Sequence, residues 1–191
     1  MKIIASLTTY PARINSVHLT IESILNQTLK PDEIVLWLTK EEFIDIKSLP
    51  EELKNLTNKG LKIKWCDKNL KSFNKLIYSL VEYPEDIIIT FDDDMIYDKN
   101  CIKLLYDGYC EYPQYIQCHR ALRIICKDKK ILPYNNWAWE IKSKNTKPSY
   151  ANFFTASAGV LYPPHCLHMD VSKEEIFLKL CPREDDMWFW G

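Results

Sequence analysis

Three consecutive carboxylates, Asp92-Asp93-Asp94, follow the apolar run Ile87-Ile88-Ile89-Thr90-Phe91. Two carboxylates on the same side of an extended chain, about 5–7 Å apart, repel by roughly 2–3 kcal/mol at an effective dielectric of 20. A divalent cation reverses the sign of that cost. The triplet is therefore a candidate hard-metal and phosphate site built on oxygen ligands. Side chains alternate along a strand, which predicts that Asp92 and Asp94 point one way and Asp93 another. A second acidic cluster, Glu184-Asp185-Asp186, precedes Met187-Trp188-Phe189-Trp190. Acids there suit the first turn of a helix, through its dipole. Two clusters together allow group transfer: one holds a cation against a leaving phosphate, the other takes the proton of an incoming hydroxyl. Arg13, Lys71 and Lys75 can add positive charge to that clamp. The simpler reading of each lysine is a solvated helix face, and of Arg13 a surface ion pair.

These residues need elements that position them. The unbroken β-branched run before Asp92 reads as a strand buried on both faces, and ligand sites in open α/β sheets form at the carboxyl ends of strands. Residues 2–7 read as a first strand, followed by a loop that Pro11 enforces. A helix from Ser16 carries Val17, Ile21, Ile24 and Leu25 on one face. Residues 33–38 read as a second strand. Ser48-Leu49-Pro50 opens a short acidic helix that Lys59-Gly60 ends, and residues 61–66 form a third strand closing on Asp67. Phe73, Leu76, Ile77, Leu80 and Val81 make a helical stripe before the acidic strand. Asp98 can cap a further helix bearing Cys101, Leu104, Leu105 and Tyr109. Strand and helix in alternation predict a doubly wound α/β fold, with a mostly parallel central sheet and helices on both faces.

Beyond Pro113 the pattern loosens. Residues 115–126 and 130–134 read as strands, and then Trp137, Trp139, Pro148, Pro163 and Pro164 dominate. These aromatic loops are expected to cover the site within the same domain; core filling is their commoner use, sugar stacking the other. His119-Arg120 is placed to border a sugar, with a structural histidine as the simpler reading.

Bulk properties narrow the field. A chain of 191 residues, 47 % of them apolar, builds one domain with a sizeable core. A net charge of −1 gives no basic excess for nucleic acid or an anionic membrane, so an anionic ligand must be held locally. Seven cysteines without a CxxC pair suit a reducing cytoplasm rather than a disulfide framework. Cys66, Cys101, Cys110, Cys118 and Cys126 read as small buried hydrophobes. His165-Cys166-Leu167-His168 lacks the second pair that a zinc site needs. No segment reads as a signal peptide or a membrane span.

Taken together the motifs resemble the GT-A-fold nucleotide-sugar glycosyltransferases, most closely the bacterial family 2-like enzymes that build capsule and other surface glycans. The resemblance rests on Ser6-Leu7-Thr8-Thr9-Tyr10-Pro11-Ala12-Arg13-Ile14 and Thr20-Ile21-Glu22-Ser23-Ile24-Leu25-Asn26-Gln27, then on Phe91-Asp92-Asp93-Asp94. Ile131-Leu132-Pro133-Tyr134-Asn135, Gly159-Val160-Leu161-Tyr162-Pro163-Pro164 and the stretch from Pro182 to Trp190 complete it. It implies one GT-A domain with a nucleotide-binding half, about residues 1–112, and a sugar and acceptor half, about residues 113–191.

The resemblance also implies roles. Thr8, Tyr10 and Arg13 border the base and ribose, and Asp67 bonds the base. Asp92 and Asp94 form a DxD motif, with Asp92 on the ribose or a metal-bound water and Asp94 on Mn²⁺ or Mg²⁺ at the diphosphate. Asp93 and Lys75 count with the donor-binding group. Asp185 matches the base, with Glu184 and Asp186 as close rivals. The implied reaction is inverting transfer from a nucleotide sugar, UDP by preference, to a glycan or lipid-linked acceptor. It would run in the cytoplasm, with peripheral membrane association or a partner subunit as options. Two departures stand out. Residues 68–75 lack the glycines that many relatives carry at the diphosphate loop. The chain also stops at Gly191, where relatives usually continue with acceptor-framing helices. That implies a shortened protein, an acceptor side supplied by a partner, or a catalytically incomplete nucleotide-sugar-binding module. A two-metal phosphoryl enzyme is a further alternative, disfavoured by a total of only four glycines.

Overall fold

A computed structural model of the chain describes residues 1–141 and 147–191. Its first half alternates as expected: β1 (Ile3–Thr8), α1 (Val17–Leu25), β2 (Glu33–Thr39), α2 (Glu51–Thr57), β3 (Leu61–Cys66), α3 (Asn74–Glu82), β4 (Ile87–Thr90) and α4 (Cys101–Glu111). The second half holds β5 (Gln117–Cys118), β6 (Ala121–Arg123), β7 (Cys126–Lys127), β8 (Lys130–Ile131), β9 (Asn152–Phe154), β10 (Val160–Tyr162), α5 (Glu174–Leu180) and α6 (Asp185–Trp190). The main sheet runs in the order β3-β2-β1-β4-β10-β5. Its first four strands are parallel, whereas β10 is antiparallel to both β4 and β5.

Both faces of this sheet are covered, which is why its strands carry apolar residues without polar alternation. Ile3, Ala5, Leu7, Ile34, Leu36, Ile87 and Ile89 face one layer, formed by Val17, Ile21 and Ile24 of α1, Leu53 and Leu56 of α2, and Ile102 and Leu105 of α4. On the opposite face Ile88, Val160 and Tyr162 pack with Leu76 and Ile77 of α3, Phe177 of α5 and Phe189 of α6. The helices lie on both sides of a mostly parallel sheet, as the sequence predicts.

Three local expectations change. Val81 and Leu104, assigned to apolar faces, are exposed. Cys110 and Cys126 are exposed as well, while Cys66 and Cys101 are buried. The two long strands expected between residues 115 and 134 are four short ones that serve different partners. β5 extends the main sheet, β6 pairs with β9, and β7 with β8 forms a separate hairpin. Changing partner interrupts the ladder each time, so no long strand survives.

The C-terminal helices dock by aromatic contact. Phe177 stacks on Phe73 at 4.4 Å, and Phe189 meets the same ring edge-on at 5.5 Å. Aromatic pairs in such offset and T-shaped arrangements are worth about 0.5–1.5 kcal/mol beyond their burial. These contacts carry the start of α6 to the carboxyl end of β4.

Candidate active site

Phe91 continues the sheet one residue past β4, its N–H donating to the Ser6 carbonyl at 2.9 Å. The chain then turns, and strand alternation ends with it. Asp92 faces Lys75, with Nζ 2.7 Å from Oδ1. Asp93 and Asp94 both meet Arg13, at 2.7 Å and 3.0 Å. The expected grouping of Asp92 with Asp94 is thus replaced by Asp93 with Asp94. Asp93 is buried and also accepts from Thr9 Oγ1 at 2.6 Å. Tyr97 clamps the turn: the Asp92 N–H donates to its hydroxyl at 2.9 Å, and its ring meets Phe91 edge-on at 4.6 Å. Burial pushes the Tyr97 hydroxyl well above its ordinary range, so it stays protonated.

The second acidic cluster starts a helix, and two of its three acids also reach the cavity. Asp185 and Asp186 form the first turn of α6 and also face the acidic turn after β4. Asp185 Oδ2 lies 3.1 Å from Lys75 Nζ; the contact is ionic, and this buried oxygen accepts no hydrogen bond. The Ala156 N–H donates to both oxygens of Asp186 at 3.1 Å. Burial, and next the neighbouring Asp185 charge, push the Asp186 carboxyl up to about 6. Lys75, read as a solvated side chain, is buried instead. Burial opposes its charge, but Asp185 and Asp92 outweigh that and hold the ammonium above its ordinary range.

These groups line one open cavity of about 630 Å³. Of the residues singled out from sequence, Thr8, Tyr10, Arg13, Lys71, Lys75, Asp92, Asp93, Asp94, Asp185 and Asp186 line it. Asp67 and Glu184 do not. Asp67 is 87 % exposed and pairs with Lys40 at 2.5 Å. Sequence reasoning missed Glu42, Asn69, Ser72, Asn74, Arg183 and the backbone of Ala156 as lining. For the segment without glycines a signal was present. Asn69 Oδ1 accepts from the Lys71 N–H at 2.9 Å, and Lys71 takes a left-handed φ of 59°. An asparagine side-chain turn thus holds a lysine in the conformation that glycine adopts freely.

The donor set suits a cation held jointly with substrate. Among the described residues no group of three His, Cys, Asp or Glu forms an all-protein cage. Mg²⁺ and its relatives usually take one or two carboxylates together with substrate phosphates, and the half-exposed Asp94 at the cavity offers one. His119, whose ring nitrogen Nε2 lies 2.9 Å from the Cys101 carbonyl, does not line the cavity.

Comparison with known proteins gives a consistent fold. The model of the family described as glycosyl transferase family 2 matches residues 7–167. No curated protein sequence matches the chain. Among solved structures, TarS 1-349 of S. aureus is similar with a TM-score of 0.60 at 16 % identity, covering 99 % of this chain and 54 % of that one. The same protein in complex with UDP gives 0.58 at 15 %, with the same coverage. A 4-diphosphocytidyl-2C-methyl-D-erythritol synthase gives 0.51 at 12 %, covering 87 % of this chain and 77 % of that one. At such identities the likeness is one of fold, and the chain spans about half the length of TarS 1-349. No helix among the described residues is long and apolar enough to cross a membrane.

Proposed function

The chain belongs to glycosyl transferase family 2, and from that premise we propose that it transfers a sugar from a nucleoside diphosphate, UDP in our reading, to a hydroxyl of a surface glycan or lipid-linked acceptor. Transfer is inverting and depends on Mn²⁺ or Mg²⁺. The observation that carries the reading is the charge balance of the cavity. Among the described residues six carboxylates (Glu42, Asp92, Asp93, Asp94, Asp185, Asp186) line it against four cations (Arg13, Lys71, Lys75, Arg183). A diphosphate entering such a cavity meets net negative charge, and a divalent cation cancels it. Asp94 would hold the metal, with Asp92 as the second candidate ligand, and such an ion would supply charge neutralisation on the departing diphosphate.

The remaining roles belong to the chain itself. Arg13 is 39 % exposed and already crosses the mouth of the acidic turn, so its guanidinium can meet a phosphate oxygen. Thr8 and Tyr10 border the nucleoside end. Asp185 takes the proton of the acceptor hydroxyl as it attacks the anomeric carbon from the face opposite the diphosphate. Asp185 lines the cavity opposite the acidic turn after β4, which supports that role.

Calorimetry with UDP, with and without Mn²⁺, tests the reading together with hydrolysis of a panel of UDP-sugars. UDP binding is expected to strengthen on adding Mn²⁺, and Asp94→Asn to lower turnover by about 100-fold or more. Unchanged turnover by Asp94→Asn would refute the metal assignment. UDP binding with no hydrolysis or transfer would make the domain a binding module. Release of phosphate from simple nucleotides would point to a phosphoryl enzyme.

A further inference from the structure

We propose that Lys75 is a positioning residue that fixes the distance between Asp92 and Asp185, rather than a ligand of the diphosphate. The inference rests on the donor-transfer reading above and adds a role within it. Lys75 sits in the first turn of α3, and its carbonyl is pinned by one hydroxyl from β1 and one from α3. Ser6 Oγ donates to it at 2.5 Å and Ser79 Oγ at 3.0 Å. Trp37 Nε1 donates to both hydroxyls, at 3.1 Å and 2.9 Å. This buried network leaves the lysine backbone no freedom to follow a ligand.

The side chain is equally constrained. It is 5 % exposed, with Nζ 2.7 Å from Asp92 Oδ1 and 3.1 Å from Asp185 Oδ2. One ammonium thus ties the turn after β4 to the first turn of α6, segments far apart in the sequence. An ammonium offers three donors. One is committed to Asp92, the Asp185 charge holds the ammonium from a second side, and almost no surface remains for a phosphate. Arg13 makes the informative contrast. It bridges a pair of acids in the same way and lines the cavity, but more than a third of it is exposed. Without Lys75 the two carboxylates repel, and Asp185 loses its fixed place relative to the donor.

The test uses the full chain, with calorimetry on UDP plus Mn²⁺ and hydrolysis of UDP-sugars. Lys75→Met removes the charge at similar length, and Lys75→Arg keeps it. Lys75→Met is expected to lower kcat for hydrolysis by about 100-fold, with KM and the UDP–Mn²⁺ Kd within about threefold of wild type. Lys75→Arg is expected to recover part of that loss. Adding Asp185→Asn to Lys75→Met is expected to cost nothing more. A Kd weakened about tenfold with kcat held, or losses that multiply in the double variant, would overturn the proposal. Should Lys75→Met not fold, Lys75→Arg and Asp185→Asn carry the same split between kcat and Kd. A wild type that neither hydrolyses nor transfers from any donor refutes the transfer reading instead. In that case the bridge is judged by melting temperatures: non-additive shifts for Lys75→Arg and Asp185→Asn support it, and additive shifts overturn it.

Discussion

Replacing Asp186 by Asn should stabilise the protein at neutral pH, and the gain should vanish in acid. Asp186 is drawn into a partly buried position beside Asp185, and its carboxyl sits at about 6 against an ordinary 3.8. A proton is therefore held more tightly in the folded chain than in the unfolded one. Between pH 3.8 and about 6 the folded state binds more protons, so stability falls as pH rises through that window and stays lower above it. The difference of the two values corresponds to about 3 kcal/mol at pH 7.5. An amide of the same shape carries no charge to bury, and its oxygen can still accept from the Ala156 N–H. For a chain of this length that gain raises Tm by about 6–12 °C. Thermal melts of both proteins at intervals from pH 4 to 8 read it directly. The gap should open between pH 4 and 6 and stay level above. A gap independent of pH, or an Asn variant that melts lower at pH 7.5, would refute the account of this carboxylate.

Two further outcomes follow from the same geometry. Arg13→Met leaves Asp93 buried with only Thr9 as partner, and should cost about 2–3 kcal/mol in urea unfolding, below the usual range for a buried pair because Arg13 is partly exposed; a loss under about 0.5 kcal/mol would mean that water replaces the guanidinium. Asp67→Asn should leave the UDP–Mn²⁺ Kd unchanged, since Asp67 points to solvent and to Lys40 rather than to the cavity; a loss of about tenfold would restore it to the base-binding group.

The parallel half of the sheet was legible because its physics is local. Burial on both faces demands runs such as Ile87-Ile88-Ile89, and helices that cover them show stripes such as Val17, Ile21 and Ile24. The acidic turn was legible for the same reason, as it ends such a run. What could not be read was pairing at a distance. Nothing near Lys75 in the sequence reports that its two partners are Asp92 and Asp185, and a lysine on a helix otherwise reads as solvated. Arg13 and Asp93 pose the same problem between the ends of two neighbouring strands, 80 residues apart in the chain. The short strands after residue 115 depend on which sheet each one joins, and the composition of a segment does not carry that information.

The three residue pairs between β10 and β4, Val160 with Thr90, Leu161 with Ile89 and Tyr162 with Ile88, act as a ruler for the chemistry above them. Sliding β10 by one position would turn Leu161 to the opposite layer and displace the neighbouring backbone by about 3.4 Å. Ala156, just before that strand, is where Asp186 is anchored. The spacing of the two acidic clusters is consequently calibrated by the register of three residue pairs, none of which touches the cavity.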